Sequence, residues 1–200
     1  MLALQLGKST KYVTLVRGGR LLVGDEDHPR LWVTVTTIFN YGGARYIMTC
    51  GHAAGPYILS GETRGVVGQL VVNLLRKDDA VDVAVYRVTD SKARVLRPVD
   101  HADYTDYAQV GEARVYTAHG RRSVHISAVD STPAHMMAKL GKSPLIACAV
   151  CTVRGDSGAP LQQRDAQGNE VLVGLHGGND YQHSYFTPIR PVMDRLLTAL

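Results

Sequence analysis

The chain has 200 residues, of which 45% are hydrophobic and 20% are charged. This length corresponds to one or two domains, and the apolar content is enough for a packed core, which excludes an intrinsically disordered chain. The formal net charge is only +4, from 22 basic and 18 acidic residues, with no long basic block of the kind that implies a nucleic-acid partner. Composition alone therefore names no ligand.

Apolar runs and cysteines narrow the class of protein. The longest apolar run, Leu145 to Cys151, is too short to cross a bilayer, so we expect no membrane span. Residues 1–8 lack the charged leader and long apolar stretch of a secretion signal. Three cysteines, Cys50, Cys148 and Cys151, cannot build the dense disulfide framework of small secreted domains, which favours a reducing compartment.

Cys148 and Cys151 form a C-x-x-C pattern inside a strand-like run, Leu145 to Val153. No second cysteine pair or nearby histidine completes a zinc site. We interpret both cysteines as small apolar core residues.

Residues that favour strands dominate the chain, in short runs separated by turn residues at intervals of about ten. This pattern predicts an all-β fold. In chain order the predicted strands are Tyr12 to Val16, Leu21 to Val23, Leu31 to Phe39, Arg45 to Thr49, Val66 to Asn73, Val81 to Val88, Ala113 to Thr117, Ser123 to Val129, Leu145 to Val153, Glu170 to His176 and Ser184 to Pro188.

Helical periodicity is convincing only near the end, where Pro191 can open a segment from Val192 to Leu197. The polar stretch from Pro98 to Gln109 contains little apolar material and is typical of an exposed connection. We therefore predict a β unit at residues 1–97, a connection at residues 98–110, and a second β unit at residues 111–200 that ends in a helix.

The segment Gly155-Asp156-Ser157-Gly158-Ala159-Pro160, directly after a strong predicted strand, is the most informative part of the chain. Glycines on both sides of the serine allow a tight turn and an uncrowded hydroxyl, and successive backbone N–H groups can converge on an oxyanion. This pattern indicates a nucleophile. Because a serine hydroxyl is a poor nucleophile at neutral pH, the interpretation requires a histidine base and a carboxylate.

Both groups stand upstream of the serine. His52 lies in Thr49-Cys50-Gly51-His52-Ala53-Ala54, where a predicted strand ends in small residues. Asp82 begins the alternating run Asp82-Val83-Ala84-Val85-Tyr86, which fixes one carboxylate at a strand edge. Asp78 and Asp79 stand close by as other carboxylates, and the alternation favours Asp82.

The order His, Asp, Ser and the three local contexts resemble the chymotrypsin-like serine proteases. The serine segment matches that family's Gly-Asp-Ser-Gly-Gly-Pro except at Ala159, and the aspartate segment matches its Asp-hydrophobic-Ala-hydrophobic pattern. The histidine segment departs from the family's Thr-Ala-Ala-His, because Cys50 and Gly51 stand before the histidine. The resemblance implies two six-stranded antiparallel β-barrels with the active site between them.

The same resemblance implies a role for each residue of the motifs. Ser157 would be the nucleophile, His52 the general base and then acid, and Asp82 the group that fixes the histidine tautomer. The N–H groups of Gly155 and Ser157 would form the oxyanion hole.

Two residues indicate which bond is cut. Thr152 precedes the nucleophile by five positions, and His176 lies in Gly174-Leu175-His176-Gly177-Gly178, where the chain would line the first specificity pocket. A hydroxyl and an imidazole facing each other can donate hydrogen bonds to a carboxylate or carboxamide. We therefore predict Glu, or else Gln, before the cut, with Gly177 and Gly178 in the pocket wall. Protonation of His176 would strengthen Glu binding, so activity on Glu is expected to fall as pH rises past its pKa.

The Thr/His pair is similar to that of arterivirus, picornavirus and astrovirus-like proteases and of the staphylococcal glutamyl endopeptidase. A small, cysteine-poor chain with this pocket resembles a processing domain of a positive-strand RNA virus, acting on the viral polyprotein in the host cytoplasm.

A bacterial glutamyl endopeptidase is the first alternative. The second is a catalytically silent pair of β-barrels used for binding, with RNA as one ligand, through the arginines Arg17, Arg20, Arg121 and Arg122. Metal-ligand clusters and dinucleotide-type glycine patterns are both missing, so we expect no metal and no cofactor.

Overall fold

A computed structural model of the chain describes residues 13–25, 29–76, 80–96 and 107–199. Strands dominate these ranges, which also contain two α-helices. The predicted fold class, a mainly β protein with two barrel-like sheets and a C-terminal helix, is confirmed. Neither helix in the described ranges is long and apolar enough to cross a membrane.

The first half of the chain forms one seven-stranded antiparallel sheet, in the order β3-β2-β6-β7-β8-β5-β4, and a separate parallel pair, β1 with β9. A short 3-10 helix, Leu74–Arg76, lies between β7 and β8. The strands are β1 (Thr14–Leu15), β2 (Arg20–Gly24), β3 (Pro29–Thr34), β4 (Thr37–Tyr41), β5 (Ala44–Thr49), β6 (Tyr57–Leu59), β7 (Val66–Asn73), β8 (Ala84–Val88) and β9 (Arg94–Val95).

This sheet has seven strands where six were expected, partly because the run from Leu31 to Phe39 is two strands rather than one. At the break, the N–H of Val35 donates to Gly19 O and the N–H of Thr36 donates to Met48 O. The chain thus passes from the side of β2 to the side of β5.

The second half forms a closed six-stranded barrel, in the order β10-β11-β12-β15-β14-β13. Helix α1 (Ala134–Leu140) follows β11, and helix α2 (Arg190–Ala199) follows the last strand. The strands are β10 (Gly111–Thr117), β11 (Gly120–Ser131), β12 (Leu145–Ala149), β13 (Pro160–Arg164), β14 (Glu170–Asn179) and β15 (His183–Pro188).

Several elements differ from the sequence-based predictions. Strand β12 ends at Ala149, whereas a strand to Val153 was predicted, because the chain there turns into the loop that leads to Ser157. Helix α1 and the strands β6, β9 and β13 were not predicted. Residue Tyr12 of the first predicted strand and residues 98–106 of the predicted connection lie outside the described residues.

Two main hydrophobic clusters hold the fold together. The larger joins the inner faces of the first sheet to residues of α2, including Val192 and Leu196. The other fills the barrel and contains Cys148. Cys151 is half-buried and packs against this second cluster. Burial raises the pKa of the Cys148 thiol to about 12 and also raises that of Cys151, and both are free thiols. Both cysteines therefore pack with the barrel core.

One glycine joins the end of α1 to the segment that precedes Asp82. Gly141 forms a β-bridge with Val81, and the next N–H, of Lys142, donates to Ala80 O at 2.9 Å. Gly141 has a φ of 106°, and a Cβ there would lie 2.0 Å from Ala80 O. The backbones can approach this closely only because the residue is glycine.

We expect Gly141→Ala to destabilise the protein by more than about 2 kcal/mol, because it adds a backbone clash to the strain of a positive φ. Gly168→Ala is the matched control, since Gly168 has a φ of 86° but nothing within 4 Å of an added Cβ. It should cost about 1 kcal/mol. Urea denaturation measures both, and equal losses would contradict the role of the bridge.

Candidate active site

The buried carboxylate of Asp82 organises the site. Its exposed fraction is 0%, and it lies just before β8. Its Oδ1 accepts the backbone N–H of Gly51 at 2.9 Å and that of His52 at 2.7 Å. Its Oδ2 lies 2.9 Å from His52 Nδ1. These donors offset the free-energy cost of removing the carboxylate from water.

The segment around Asp82 does not alternate between exposed and buried residues, as the sequence suggested. Every residue from Val81 to Tyr86 is buried. The strand begins only at Ala84, so Asp82 lies in the turn before it. The two other candidate carboxylates, Asp78 and Asp79, lie outside the described residues.

His52 follows the end of β5 and bridges Asp82 and Ser157. Its Nε2 lies 3.2 Å from Ser157 Oγ, and its side chain is 21% exposed. The preceding Gly51 explains the departure from the family pattern, because a Cβ there would lie 2.8 Å from Asn73 Oδ1. Asn73 Nδ2 in turn donates to Gly51 O at 3.0 Å, which fixes the turn that carries the imidazole.

The pKa of His52 is set by opposing effects. Burial of the imidazole lowers it, but the hydrogen bond to Asp82 and the neighbouring Cys50 outweigh burial and raise the pKa of His52 from 6.5 to about 10. The carboxylate stabilises the imidazolium, which is the form that holds the proton taken from a hydroxyl.

The loop that carries Ser157 is clamped by the first sheet. The N–H of Thr34 donates to Ser157 O at 2.8 Å, and Thr36 Oγ1 donates to Gly158 O at 2.6 Å. Gly158 has a φ of 92°, and a Cβ there would lie 2.2 Å from Thr34 O. The second glycine of the motif is thus needed for close approach of the two halves of the chain as well as for the turn.

Two backbone N–H groups at Ser157 donate to no acceptor among the described residues. In the loop, the N–H groups of Asp156, Gly158 and Ala159 donate to carbonyl oxygens. Within the described ranges, the N–H groups of Gly155 and Ser157 have no acceptor. Gly155 has a φ of 98°, the conformation that only glycine adopts readily. These two donors are the pair expected for an oxyanion hole.

A second group of polar side chains lies beside the loop of Ser157, at the predicted specificity pocket, and we call it the Thr152 pocket: Thr152, His176, Asn179 and Ser184. Thr152 and His176 are 3% exposed or less, as the predicted pocket requires. His176 Nε2 lies 2.8 Å from Thr152 Oγ1 and 2.8 Å from Asn179 Oδ1. Because an amide oxygen can only accept, Nε2 carries a proton in this arrangement.

Hydroxyl groups in the Thr152 pocket form a chain of donors. The N–H of Cys151 donates to Ser184 Oγ at 3.0 Å, and Ser184 Oγ lies 2.9 Å from Thr152 Oγ1. Thr152 Oγ1 donates to Asn179 Oδ1 at 2.6 Å. Thr152 and His176 therefore direct their protons at one point, which the Asn179 oxygen occupies.

Burial lowers the pKa of His176, against the opposing effects of Asn179 and the Asp156 carbonyl. The Nδ1 atom lies 3.2 Å from Asp156 O, and the ring packs edge-on against Phe186. His176 is therefore neutral in the free protein above the ordinary histidine pKa of 6.5.

The structure brings the predicted residues together, but Gly177 and Gly178, predicted in the pocket wall, contact other residues. Gly177 lies against Asp82, because a Cβ there would be 2.9 Å from Asp82 Oδ2. Gly178 lies against α1, where a Cβ would be 3.0 Å from Met136 Cε. Sequence reasoning missed Asn179 and Ser184, although Asn179 stands three residues after His176, directly after the segment from Gly174 to Gly178.

The four arginines that were candidates for RNA binding do not all lie together. Arg17, Arg20 and Arg121 line one cavity, whereas Arg122 Nη1 donates to Cys151 O at 3.1 Å on the barrel. Among the described residues there is no group of three or more His, Cys, Asp or Glu side chains placed to hold a metal ion.

Comparison with known proteins shows the fold. No protein-family model matches the chain, and no curated protein sequence does. Solved structures match over most of its length. A glutamic-acid-specific serine protease, described as using a histidine triad in substrate binding, is 18% identical with a TM-score of 0.72, covering 91% of this chain and 97% of its own. The chain has the chymotrypsin-like fold.

Other structures with this fold come from different sources. An alpha-lytic protease homolog, N4, is 20% identical with a TM-score of 0.69, over 92% of this chain and 97% of its own. The NSP4 proteinase from equine arteritis virus is 18% identical with a TM-score of 0.51, over 86% of this chain and 72% of its own.

We expect Asp82→Asn to return the pKa of His52 toward 6.5, because the carboxylate is the main group that opposes burial. Asp194→Asn is the control, since Asp194 is exposed on α2 and pairs only with Arg190 among the ion pairs of the described residues. Titration of the imidazole signals by NMR measures both variants. A His52 pKa unchanged by Asp82→Asn would contradict the contacts described.

Proposed function

We propose that the protein is a serine endopeptidase that hydrolyses polypeptides through an acyl-enzyme. The observation that carries this proposal is the row of contacts from Ser157 Oγ to His52 Nε2 at 3.2 Å and from His52 Nδ1 to Asp82 Oδ2 at 2.9 Å. The two unpaired N–H groups of Gly155 and Ser157 lie beside the hydroxyl. This arrangement supports the assignment of a nucleophile, a base, a group that orients the base, and donors for a developing oxyanion.

Each step has a residue to perform it. In its neutral form, which the raised pKa confines to alkaline solution, His52 takes the proton on Nε2 as Ser157 Oγ attacks the scissile carbonyl carbon, and Asp82 stabilises the imidazolium that forms. The carbonyl oxygen gains negative charge and accepts from Gly155 N–H and Ser157 N–H. His52 then donates its proton to the leaving amine, which leaves an acyl group on Ser157. Water, activated by the same imidazole, hydrolyses the ester and restores the hydroxyl.

Fluorophosphonate labelling tests this proposal. Wild-type protein should be labelled at Ser157, because the reagent phosphonylates a serine activated by a neighbouring base. Ser157→Ala should abolish labelling, whereas Ser123→Ala, at an exposed serine on β11, should not. Unchanged labelling of Ser157→Ala, or an unlabelled wild-type protein that is folded, would discard the proposed nucleophile and favour the silent binding module.

We further propose that the enzyme cuts after Glu, with Gln as the second choice. The support is the Thr152 pocket, in which the Thr152 hydroxyl and His176 Nε2–H converge on the Asn179 oxygen. That oxygen stands where a carboxylate or carboxamide oxygen of substrate would bind, so Asn179 must move when the pocket is filled. Asn179 is exposed as a residue, which leaves its side chain room to do so.

Here His176 packs against Phe186 and the Asp156 carbonyl. Discrimination between Glu and other residues before the cut would therefore come from the hydroxyls of Ser184 and Thr152 and from the one imidazole of His176. Because burial lowers the pKa of His176, we expect its protonation to add to Glu binding only in solutions more acidic than pH 6.5.

Thr152→Val should lower kcat/KM for a substrate with Glu before the cut by about tenfold or more, since a hydrogen bond to a charged group contributes about 1.5–3 kcal/mol. Thr187→Val is the control, because Thr187 is buried and its hydroxyl has no hydrogen-bond partner among the described residues. Its kcat/KM for Glu should match that of the wild type. Hydrolysis of paired Glu and Gln peptide anilides measures the effect, and a dominant preference for Arg or Phe would refute the pocket.

The biological role is the most specific part of the proposal. We propose the processing of a viral polyprotein in the host cytoplasm, supported by free cysteines and the Thr/His pair. A bacterial glutamyl endopeptidase is the second candidate, and it is favoured by the TM-score of 0.72 with a glutamic-acid-specific protease against 0.51 with the arterivirus proteinase. Expression of the native reading frame with its flanking sequence distinguishes them. Self-processing after Glu or Gln that Ser157→Ala abolishes supports the viral role, and a frame without flanking protein contradicts it.

A further inference from the structure

An arginine lies against the nucleophile loop without an assigned role. Arg20, on β2, pairs in register with Thr34 on β3, whose N–H donates to Ser157 O. The approach is close, because a Cβ on Gly155 would lie 2.5 Å from Arg20 Nη2. The guanidinium therefore lies next to one of the two proposed oxyanion donors.

The side of the loop on which Arg20 lies determines what it can meet. The Thr152 pocket is on the opposite side, since Gly158 N–H donates to His176 O while Thr34 N–H donates to Ser157 O. If the side chain before the cut fills the Thr152 pocket, the residues after the cut must run across Ser157 toward Thr34 and Arg20. Arg20 thus lies on the leaving-group side.

The guanidinium of Arg20 is held in place, and no carboxylate of the described residues forms an ion pair with it. Its Cζ lies 5.0 Å from the centroid of the Trp32 ring, a cation–π contact. Trp32 is itself supported by Gly61, where a Cβ would lie 2.6 Å from the ring. Among the ion pairs of the described residues, none includes Arg20, and its buried Nε has no hydrogen-bond partner.

Two clefts meet at Arg20. One is a cavity of about 470 Å³ that Arg17, Tyr116 and Arg121 also line. The other, of about 320 Å³, is lined by Trp32 and by Glu62, the acidic residue among those that line these two clefts. The first cleft is positively charged and large enough for an acidic side chain, and a fixed guanidinium suits a carboxylate.

We propose that Arg20, stacked on Trp32 beside Gly155, forms a subsite for an acidic side chain that follows the scissile bond in the substrate. We call these three residues the Arg20 subsite. The inference rests on the proposed protease function and adds to it a preference on the leaving-group side. A peptide is favoured over RNA because the guanidinium lies beside the nucleophile loop rather than on an open basic face.

Peptides with Glu before the cut and either Glu or Lys at the second position after it test the proposal. Wild-type kcat/KM should be about fivefold or more higher for Glu than for Lys, the size expected for a partly buried charge pair, and the ratio should shrink with added salt. Arg20→Gln should bring the ratio close to one. Arg87→Gln, at an exposed arginine on β8, is the matched control and should keep the wild-type ratio.

A peptide anilide, which has no residue after the cut, separates this proposal from the protease function. If the wild type cleaves the anilide but shows no Glu over Lys preference, the Arg20 subsite is wrong while the protease function stands. If the wild type does not cleave the anilide, the protease function itself fails.

Binding gives a readout that does not need turnover. In Ser157→Ala protein, fluorescence anisotropy should show tighter binding of the peptide with the second Glu, and adding Arg20→Gln should remove the difference. Equal binding of the Glu and Lys peptides overturns the proposal. So does a result in which Arg20→Gln loses affinity for a single-stranded RNA oligonucleotide but leaves the peptide ratio unchanged.

Discussion

The site depends on one buried carboxylate. Asp82 has an exposed fraction of 0%, and such a charge is tolerated only where donors surround it. Two of its donors are backbone N–H groups of Gly51 and His52, so the end of β5 must fold around the carboxylate. The same residue that supplies the imidazole is therefore positioned twice by Asp82, through its main chain and through its ring.

Ser157 is held by contacts that cross between the two halves of the chain. Thr34 and Thr36, at the break between β3 and β4, clamp the loop of Ser157 by its carbonyl oxygens. The N–H groups of Gly155 and Ser157 have no acceptor in the part of the chain that the structure describes. The loop is thus fixed through its acceptors while its donors stay available, which is how a preorganised site stabilises developing negative charge.

The sequence was most informative where chemistry and local geometry coincide. Ser157 stands between glycines that the turn and the close approach to Thr34 require, and β7 and β5 closely follow the predicted runs. The all-β class also followed from the spacing of strands and turns, whereas the two barrels followed from the resemblance of the motifs to a known family.

What the sequence could not reveal depends on contacts between distant segments. Asn179 enters the Thr152 pocket through a hydrogen bond to Thr152, and Arg20 reaches Gly155 from the first sheet. Helix α1 has only seven residues and follows Pro133, so its periodicity was too short to recognise. Asp82 was found for a reason that the structure does not support, because the run after it is buried throughout rather than alternating.

The most direct test of the account is a crystal structure of the protein treated with a peptidyl phosphonate that carries Glu at the position before the reactive phosphorus. We expect a bond from Ser157 Oγ to phosphorus, a phosphonyl oxygen within hydrogen-bond distance of both Gly155 N and Ser157 N, and the Glu carboxylate in place of the Asn179 oxygen. Attachment at another residue, or a phosphonyl oxygen directed away from both N–H groups, would contradict it.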